Sequence, residues 1–255
     1  IASRIPGKRI ALPLKDDHTC TRQIRLCIRK DYAALALPTE ARIRKHADYE
    51  NTIYIHIGYR DMLTLSNGNV YGQSLGSMTS AETQRLMEKN RERAKMRTAH
   101  RRSSADGDQG KADLIERCNL GTEKYRRSKE KQRAKTETFI NTELNRMLAA
   151  EKPTRIVITR PVTMNKSKLP SKAANRKLTR SFHGYIRERL SYKCRLNAIE
   201  LVEISSKGTG NVCSRCGAEG RRLPEGFYCP DCGFVAAISL NGAKNIENHY
   251  RTAKG

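Results

Sequence analysis

Cys213, Cys216, Cys229 and Cys232 form two C-x-x-C pairs separated by twelve residues, within CSRCGAEGRRLPEGFYCPDCGF. Each pair suits a tight turn in which Gly217 or Gly233 lets the backbone curl beneath the sulfurs. Four thiolates then fill the tetrahedral shell of zinc and leave no open position for water. Such a site is structural rather than catalytic. Two unrelated redox pairs or a disulfide framework would also use four cysteines, but both halves repeat C-x-x-C-G, with Gly226 at the intervening hairpin. The spacing predicts a zinc ribbon holding one Zn²⁺.

The charge of the chain limits its partners. Fifty Lys plus Arg stand against 26 Asp plus Glu, a formal net charge of +24 over 255 residues. This exceeds what solubility requires and implies a polyanion. Ribosomal or membrane-surface chemistry would use similar charge, yet no apolar run reaches membrane-span length and no secretory signal precedes the first basic residues. No membrane partner is expected, and the expected location is cytoplasmic, beside the nucleoid in a prokaryote. Cys20, Cys27, Cys118 and Cys194 are scattered without pairing logic, which fits a reducing compartment and small, half-buried side chains.

The elements that must position the cysteines follow from hydrophobic period. The chain opens on Ile1 in what reads as the middle of a sheet, the mark of a fragment or a processed chain. Ile24, Leu26 and Ile28 alternate with polar residues, and a Lys30-Asp31 turn leads to a second apolar run, Tyr32 to Leu37. This predicts an antiparallel hairpin. After a basic linker, strands are predicted at 53–57, 62–66 and 69–73, with turns at Tyr59-Arg60 and Asn67-Gly68.

Residues 77–150 read as a basic helical hairpin broken at 103–110, its second arm carrying Leu114, Cys118, Tyr125, Phe139, Ile140, Leu144 and Leu148. Its positive excess favours a nucleic-acid face over a merely solvated one. A strand at 155–159, a basic loop, a helix over 173–197, a strand at 199–204, the ribbon and a helix from Ser239 to Tyr250 complete the order. Three antiparallel strands followed by strands reached through helical crossovers describe an α/β fold with a ribonuclease-H-like mixed sheet. In that fold, metal-binding carboxylates sit on the first strand, at the end of the fourth and on the last helix.

The motifs resemble those of the TnpB family of insertion-sequence nucleases and their CRISPR type V effector relatives. NTIYIHIGYRDMLTLSNGNVYG is similar to the first RuvC motif, RIVITRP to the second, and NVCSRCG with FYCPDCGFVAAISLNGAKNI to the ribbon and third motif. YIRERLSYKCRLNAIELVEISSKGT is similar to the helix and strand leading into the ribbon. The resemblance implies six segments. Residues 1–50 would end a wedge β-barrel, 51–76 and 151–208 would form parts of the RuvC-like core, 77–150 the helical hairpin, 209–235 the ribbon, and 236–255 the closing helix.

Each RuvC-like motif departs at its carboxylate. The family reads Ile-Asp-x-Gly where this chain has Ile55-His56-Ile57-Gly58. A glutamate follows the second apolar strand where Thr159 stands here, and an aspartate precedes the asparagine by two where Ser239 precedes Asn241. Two-metal phosphodiester cleavage requires negatively charged oxygen ligands around two Mg²⁺ ions about 4 Å apart. His56, Thr159 and Ser239 supply none, so Mg²⁺ is not expected. Asp61, in the turn after Gly58, is read as pointing away from the sheet centre, and Glu151 precedes its strand at the wrong end.

Chemistry lost with binding surface kept implies an RNA-guided DNA-binding protein that acts by target occupancy, such as transcriptional repression. A guide RNA and a target DNA are the implied partners. The candidate backbone contacts are Arg91, Arg93, Lys95, Arg97, Arg101 and Arg102, with Lys166, Lys168, Lys172, Arg176 and Lys177. The alternatives are a subunit of a split effector whose recognition half is a separate polypeptide, a decayed transposon remnant, and an active magnesium-dependent endonuclease.

Overall fold

The computed structural model describes residues 23–28, 33–37, 43, 50–161 and 182–253. The chain divides into two units, Ile1–Arg42 and Ile43–Gly255. In the first, β1 (Arg25–Ile28) and β2 (Ala33–Ala36) pair antiparallel, from Arg25↔Ala36 to Ile28↔Ala33. This is the hairpin that the apolar alternation predicts. Its assignment to a barrel rests on the resemblance alone.

The second unit is built on a five-stranded sheet of order β5-β4-β3-β6-β7. The strands are β3 (Thr52–Ile57), β4 (Leu63–Leu65), β5 (Val70–Tyr71), β6 (Arg155–Thr159) and β7 (Glu200–Ile204). β3, β4 and β5 run antiparallel in succession, while β6 is parallel to both β3 and β7. This is the ribonuclease-H arrangement. It arises because short turns at Tyr59-Arg60 and Asn67-Gly68 force neighbouring strands to reverse, whereas long helical connections permit parallel ones. Gly68, at φ 97°, supplies the left-handed residue of the second turn.

Strand alternation divides the sheet into two faces. Ile53, Ile55, Ile57, Ile156 and Ile158 point to one side, where they meet Ile140, Leu144 and Met147 of α3 (Glu123–Glu151) and Ile186, Leu190 and Cys194 of α4 (His183–Leu196). Full burial of each such side chain stabilises the fold by about 1.5–3 kcal/mol. Tyr54 and Val157 point to the other side, against Ile246 and Tyr250 of α5 (Ile238–Thr252).

The helical hairpin differs from its expected form. α1 (Leu75–Ala105) continues through the expected start of the break, and a short α2 (Gln109–Ile115) with a π-helical turn at Glu116–Leu120 follows before α3. Asp108 caps α2 by accepting from the Lys111 amide, and Gly107, at φ 80°, turns the chain ahead of it. Leu114 and Cys118 therefore lie in the connection, exposed, rather than in the second arm. Among the described residues, the helix expected over 173–197 spans His183–Leu196. No helix of the described residues is long and apolar enough to cross a membrane.

Candidate functional site

The four predicted cysteine ligands converge. Their sulfurs all lie within 4.8 Å of one another, with Cys213 to Cys232 at 3.7 Å and Cys216 to Cys229 at 3.6 Å. A tetrahedron with Zn–S bonds of about 2.3 Å has edges of about 3.8 Å, so the quartet fits a four-coordinate thiophilic ion. Gly217 (φ 81°) and Gly233 (φ 67°) donate their amides to Cys213 and Cys229, and a Cβ at either position would be strained by that φ. Gly226 opens β9 because a Cβ there would lie 2.8 Å from the Ala236 carbonyl oxygen. Burial raises the Cys213 thiol, but amides of Cys216 and Arg215 and the neighbouring thiols outweigh it and bring it down to about 7. That favours the thiolate a metal needs.

The ribbon's small sheet, β8 (Arg221–Leu223), β9 (Gly226–Tyr228) and β10 (Val235–Ala236), packs on Phe227. A row of asparagines ties it to the core. Asn241 donates to the Val212 carbonyl (2.8 Å) and accepts from the Ser214 amide (2.9 Å). Asn245 donates to Thr209 and Val212 carbonyls, at 3.1 and 2.7 Å, and Asn248 to the Ser214 carbonyl at 2.9 Å. Asn245 and Asn248 escaped the sequence reading, and Asn241 entered it only as part of the third motif, although their i, i+4, i+7 spacing marks a single helix face.

The same helix lies across the sheet at the expected RuvC-like positions. Tyr54 pairs with Val157, so the register carried two residues further brings His56 level with Thr159 on the α5 side of the sheet. The His56 Nδ1 lies 3.0 Å from the point a Cβ at Gly242 would occupy, and its Cε1 and Cγ lie 3.4 Å away. Ser239 stands one turn before Gly242 on the same face of α5. His56 and Thr159 thus share a register position on this side of the sheet, and Ser239 stands one turn from the glycine that the His56 ring faces.

His56 is held neutral. Burial, then the nearby charges of His183 and Arg222, push its pKa down to about 4. His183, which no sequence motif marked, donates through Nε2 to the Gly58 carbonyl at 3.0 Å. Thr64, the cross-strand partner of His56, is 2% exposed, and among the described residues its hydroxyl has no hydrogen-bond partner. Among the described residues, the cysteine quartet is the only set of three or more Cys, His, Asp or Glu with ligand atoms close enough to share an ion. Glu151 lies at the opposite end of the sheet, accepting from Asn69 (2.8 Å), Asn67 (3.2 Å) and the Tyr71 hydroxyl.

The basic candidates separate by geometry. Arg91, Lys95 and Arg102 share one side of α1 within about 40°, while Arg97 and Arg101 occupy another, and all five are exposed. Arg93 requires correction as an expected nucleic-acid contact. It is 8% exposed and spends its guanidinium on the carbonyls of Gly121, Leu120 and Asn119, closing the turn before α3. Lys166, Lys168, Lys172, Arg176 and Lys177 lie outside the described residues.

A family model described as "Cas12f1-like, TNB domain" matches residues 183–246, from the start of α4 through the ribbon into α5. Residues 183–246 are similar to a Cas12f1-like TNB domain. This domain contains the four cysteines, Ser239, Asn241 and Asn245, and the resemblance to TnpB proteins and type V effectors is borne out through it. Structures similar to the whole chain include the Cas12f1–sgRNA–target DNA complex, at 16% identity and a TM-score of 0.43, covering 85% of this chain and 52% of that one. A CRISPR-Cas12f ternary complex gives 16% identity and a TM-score of 0.46 over 84% of this chain and 41% of that one. CasPhi-2 (Cas12j) bound to crRNA gives 15% and 0.37 over 56% and 24%. The chain thus spans about half, or less, of the length of the relatives it matches. No curated protein matches it.

Proposed function

We propose that this protein is an RNA-guided DNA-binding protein that holds its target without cutting it, for instance to repress transcription. The observation that carries the reading is the His56 ring fitted against Gly242 of α5, with Thr159 level with it in the register of the sheet and Ser239 one turn earlier on the helix. A two-metal nuclease needs carboxylates there to balance the charge of two Mg²⁺ ions against a phosphate. A neutral imidazole and two hydroxyls supply no such charge, and the nearby Arg222 adds repulsion.

In this reading the chain's partners are those of its Cas12f1 relative, a guide RNA and a target DNA. Base pairing to the guide supplies sequence specificity, and the exposed arginines and lysines grip the backbone. The cysteine quartet holds a structural Zn²⁺ that stiffens the ribbon and performs no step of its own.

Sequencing the RNA that copurifies with the full chain tests the reading. A discrete structured RNA with a variable guide end is expected, and heterogeneous cellular RNA would sink it. Supplied with that RNA, the chain should retain complementary DNA intact in Mg²⁺ or Mn²⁺. Guide-dependent cleavage by the unmodified protein, lost in Asp61→Ala but kept in His56→Ala, would relocate the metal site and restore the enzymatic alternative.

A further inference from the structure

α5 is anchored differently at its two ends. Ile246 and Tyr250, in its later turns, join the apolar cluster on Tyr54 and Val157 of the sheet. Ile238, at its start, packs instead on the ribbon core of Cys213, Phe227 and Cys229. The Lys244 Nζ stands 6.0 Å from the centre of the Phe234 ring, and Asn241 bonds Val212 and Ser214, the neighbours of Cys213 on either side. The first turn of α5 has no side-chain cap and no acidic residue of its own, so the ribbon sets its placement.

Between these anchors Gly242 lies against the His56 ring. A second route leads from the ribbon to the same ring. Arg222 of β8 donates through Nε to the Gly210 carbonyl at 2.9 Å, and its positive charge acts on the imidazole. The other charge acting there, that of His183, belongs to α4 and is fixed on the Gly58 carbonyl. The buried core of the ribbon contains, besides two of the cysteines, only Phe227, which is too little to keep it folded without an ion.

We propose that metal occupancy of the ribbon works as a latch on His56: with the ion held, the start of α5 and Arg222 close over the imidazole, and with the ion lost both withdraw and water reaches the ring. The inference rests on the cysteine quartet holding an ion, not on the guide-RNA reading. The sheet keeps its isoleucine core on α3 and α4, so the change is confined to the face beneath α5. Solvation restores the ability of the imidazole to take a proton, and the departure of Arg222 removes a charge that opposes it. A ring held neutral in the loaded chain thereby becomes cationic in mildly acidic solution once the ribbon is emptied.

The titration of His56 reads the latch directly. In the full chain with carbon-13 at histidine Cε1, six signals are expected, and His56→Asn identifies the relevant one. With zinc bound it should titrate near pH 4, and after a strong chelator its midpoint should rise towards 6.5. His183, whose shift comes from burial, Gly58 and Arg187 rather than from the ribbon, should keep its own midpoint. Cys213→Ser should reproduce the chelated profile, and restoring zinc to the unmodified chain should reverse it. Asn241→Ala with zinc retained should move the midpoint part of the way, because it cuts one tie and leaves Arg222 in place. If the ribbon amide signals collapse on chelation while His56 still titrates near pH 4, the latch is refuted. A ribbon that stays folded without metal, or a chain that binds none, would also overturn it. None of these outcomes bears on the copurified RNA, so the function proposed above is decided separately.

Discussion

At the scale of single residues, His56 and Gly242 form a fitted pair. Gly242→Ala should drive a methyl group to within about 3 Å of the imidazole, an overpacked contact costing about 1–3 kcal/mol. His56→Ala should relieve most of that cost, so chemical denaturation of the two single variants and the double variant should give a coupling well outside additivity. His56 also makes stability depend on pH. Its folded pKa of about 4 lies below its unfolded value of 6.5, so between these values the unfolded chain binds the proton that the folded chain refuses. Stability should therefore fall as the solution is acidified from pH 6.5 towards 4, by on the order of 3 kcal/mol. His183, lowered chiefly by burial, acts in the same direction. Melting curves across this range should flatten in His56→Asn, and an unchanged slope would show that the ring is solvated.

At the scale of elements, α5 does two tasks with two faces. Ile246 and Tyr250 bind it to the sheet, while Asn241, Asn245 and Asn248 hold the ribbon by donating to its carbonyls. Asn245 is 2% exposed, and its truncation leaves the Thr209 carbonyl unmet and the Val212 carbonyl with one donor fewer. Asn245→Ala should cost about 1–3 kcal/mol and speed amide exchange through the ribbon more than through β3 or β6. Removal of the metal by a strong chelator, or Cys213→Ser, should unfold the ribbon and leave the sheet largely protected, because the sheet has its own core of isoleucines on α3 and α4. Metal analysis should find one zinc per chain. A serine variant that keeps a full equivalent would contradict the four-thiolate site.

At the scale of the whole molecule, the net charge of +24 acts through its distribution. Affinity for nucleic acid should fall steeply with salt, the logarithmic slope changing by about 0.9 for each duplex phosphate neutralised. Arg101→Ala with Arg102→Ala should flatten that slope while leaving thermal stability unchanged, since both side chains are exposed. Arg93→Ala should do the reverse. It removes the donor to three carbonyls that close the helical connection, so it should lower the melting temperature while leaving the salt slope intact. A flattened slope in Arg93→Ala would return that residue to the binding surface.

The cysteine quartet, the order of the strands and the identity of the residues at the three motif positions were legible in the sequence, for reasons internal to it. C-x-x-C-G constrains a turn locally, alternation in TIYIHI and RIVIT requires a two-faced strand, and the identity of a residue at a motif position needs no coordinates. The placement of Arg93 was not legible. Its neighbours Arg91 and Lys95 have the same charge, and only the fold brings carbonyls 26 to 28 residues away within reach of its guanidinium. The contact of His56 with Gly242 joins residues remote in sequence and had no local signature. The asparagine row had one, but its partners appeared only once the ribbon was folded back on α5. Local pattern determined which elements form and which residues stand at the motif positions. Tertiary packing decided which polar groups are consumed in holding the fold and which are left facing outward, because burial and hydrogen-bond reach depend on what the fold brings near.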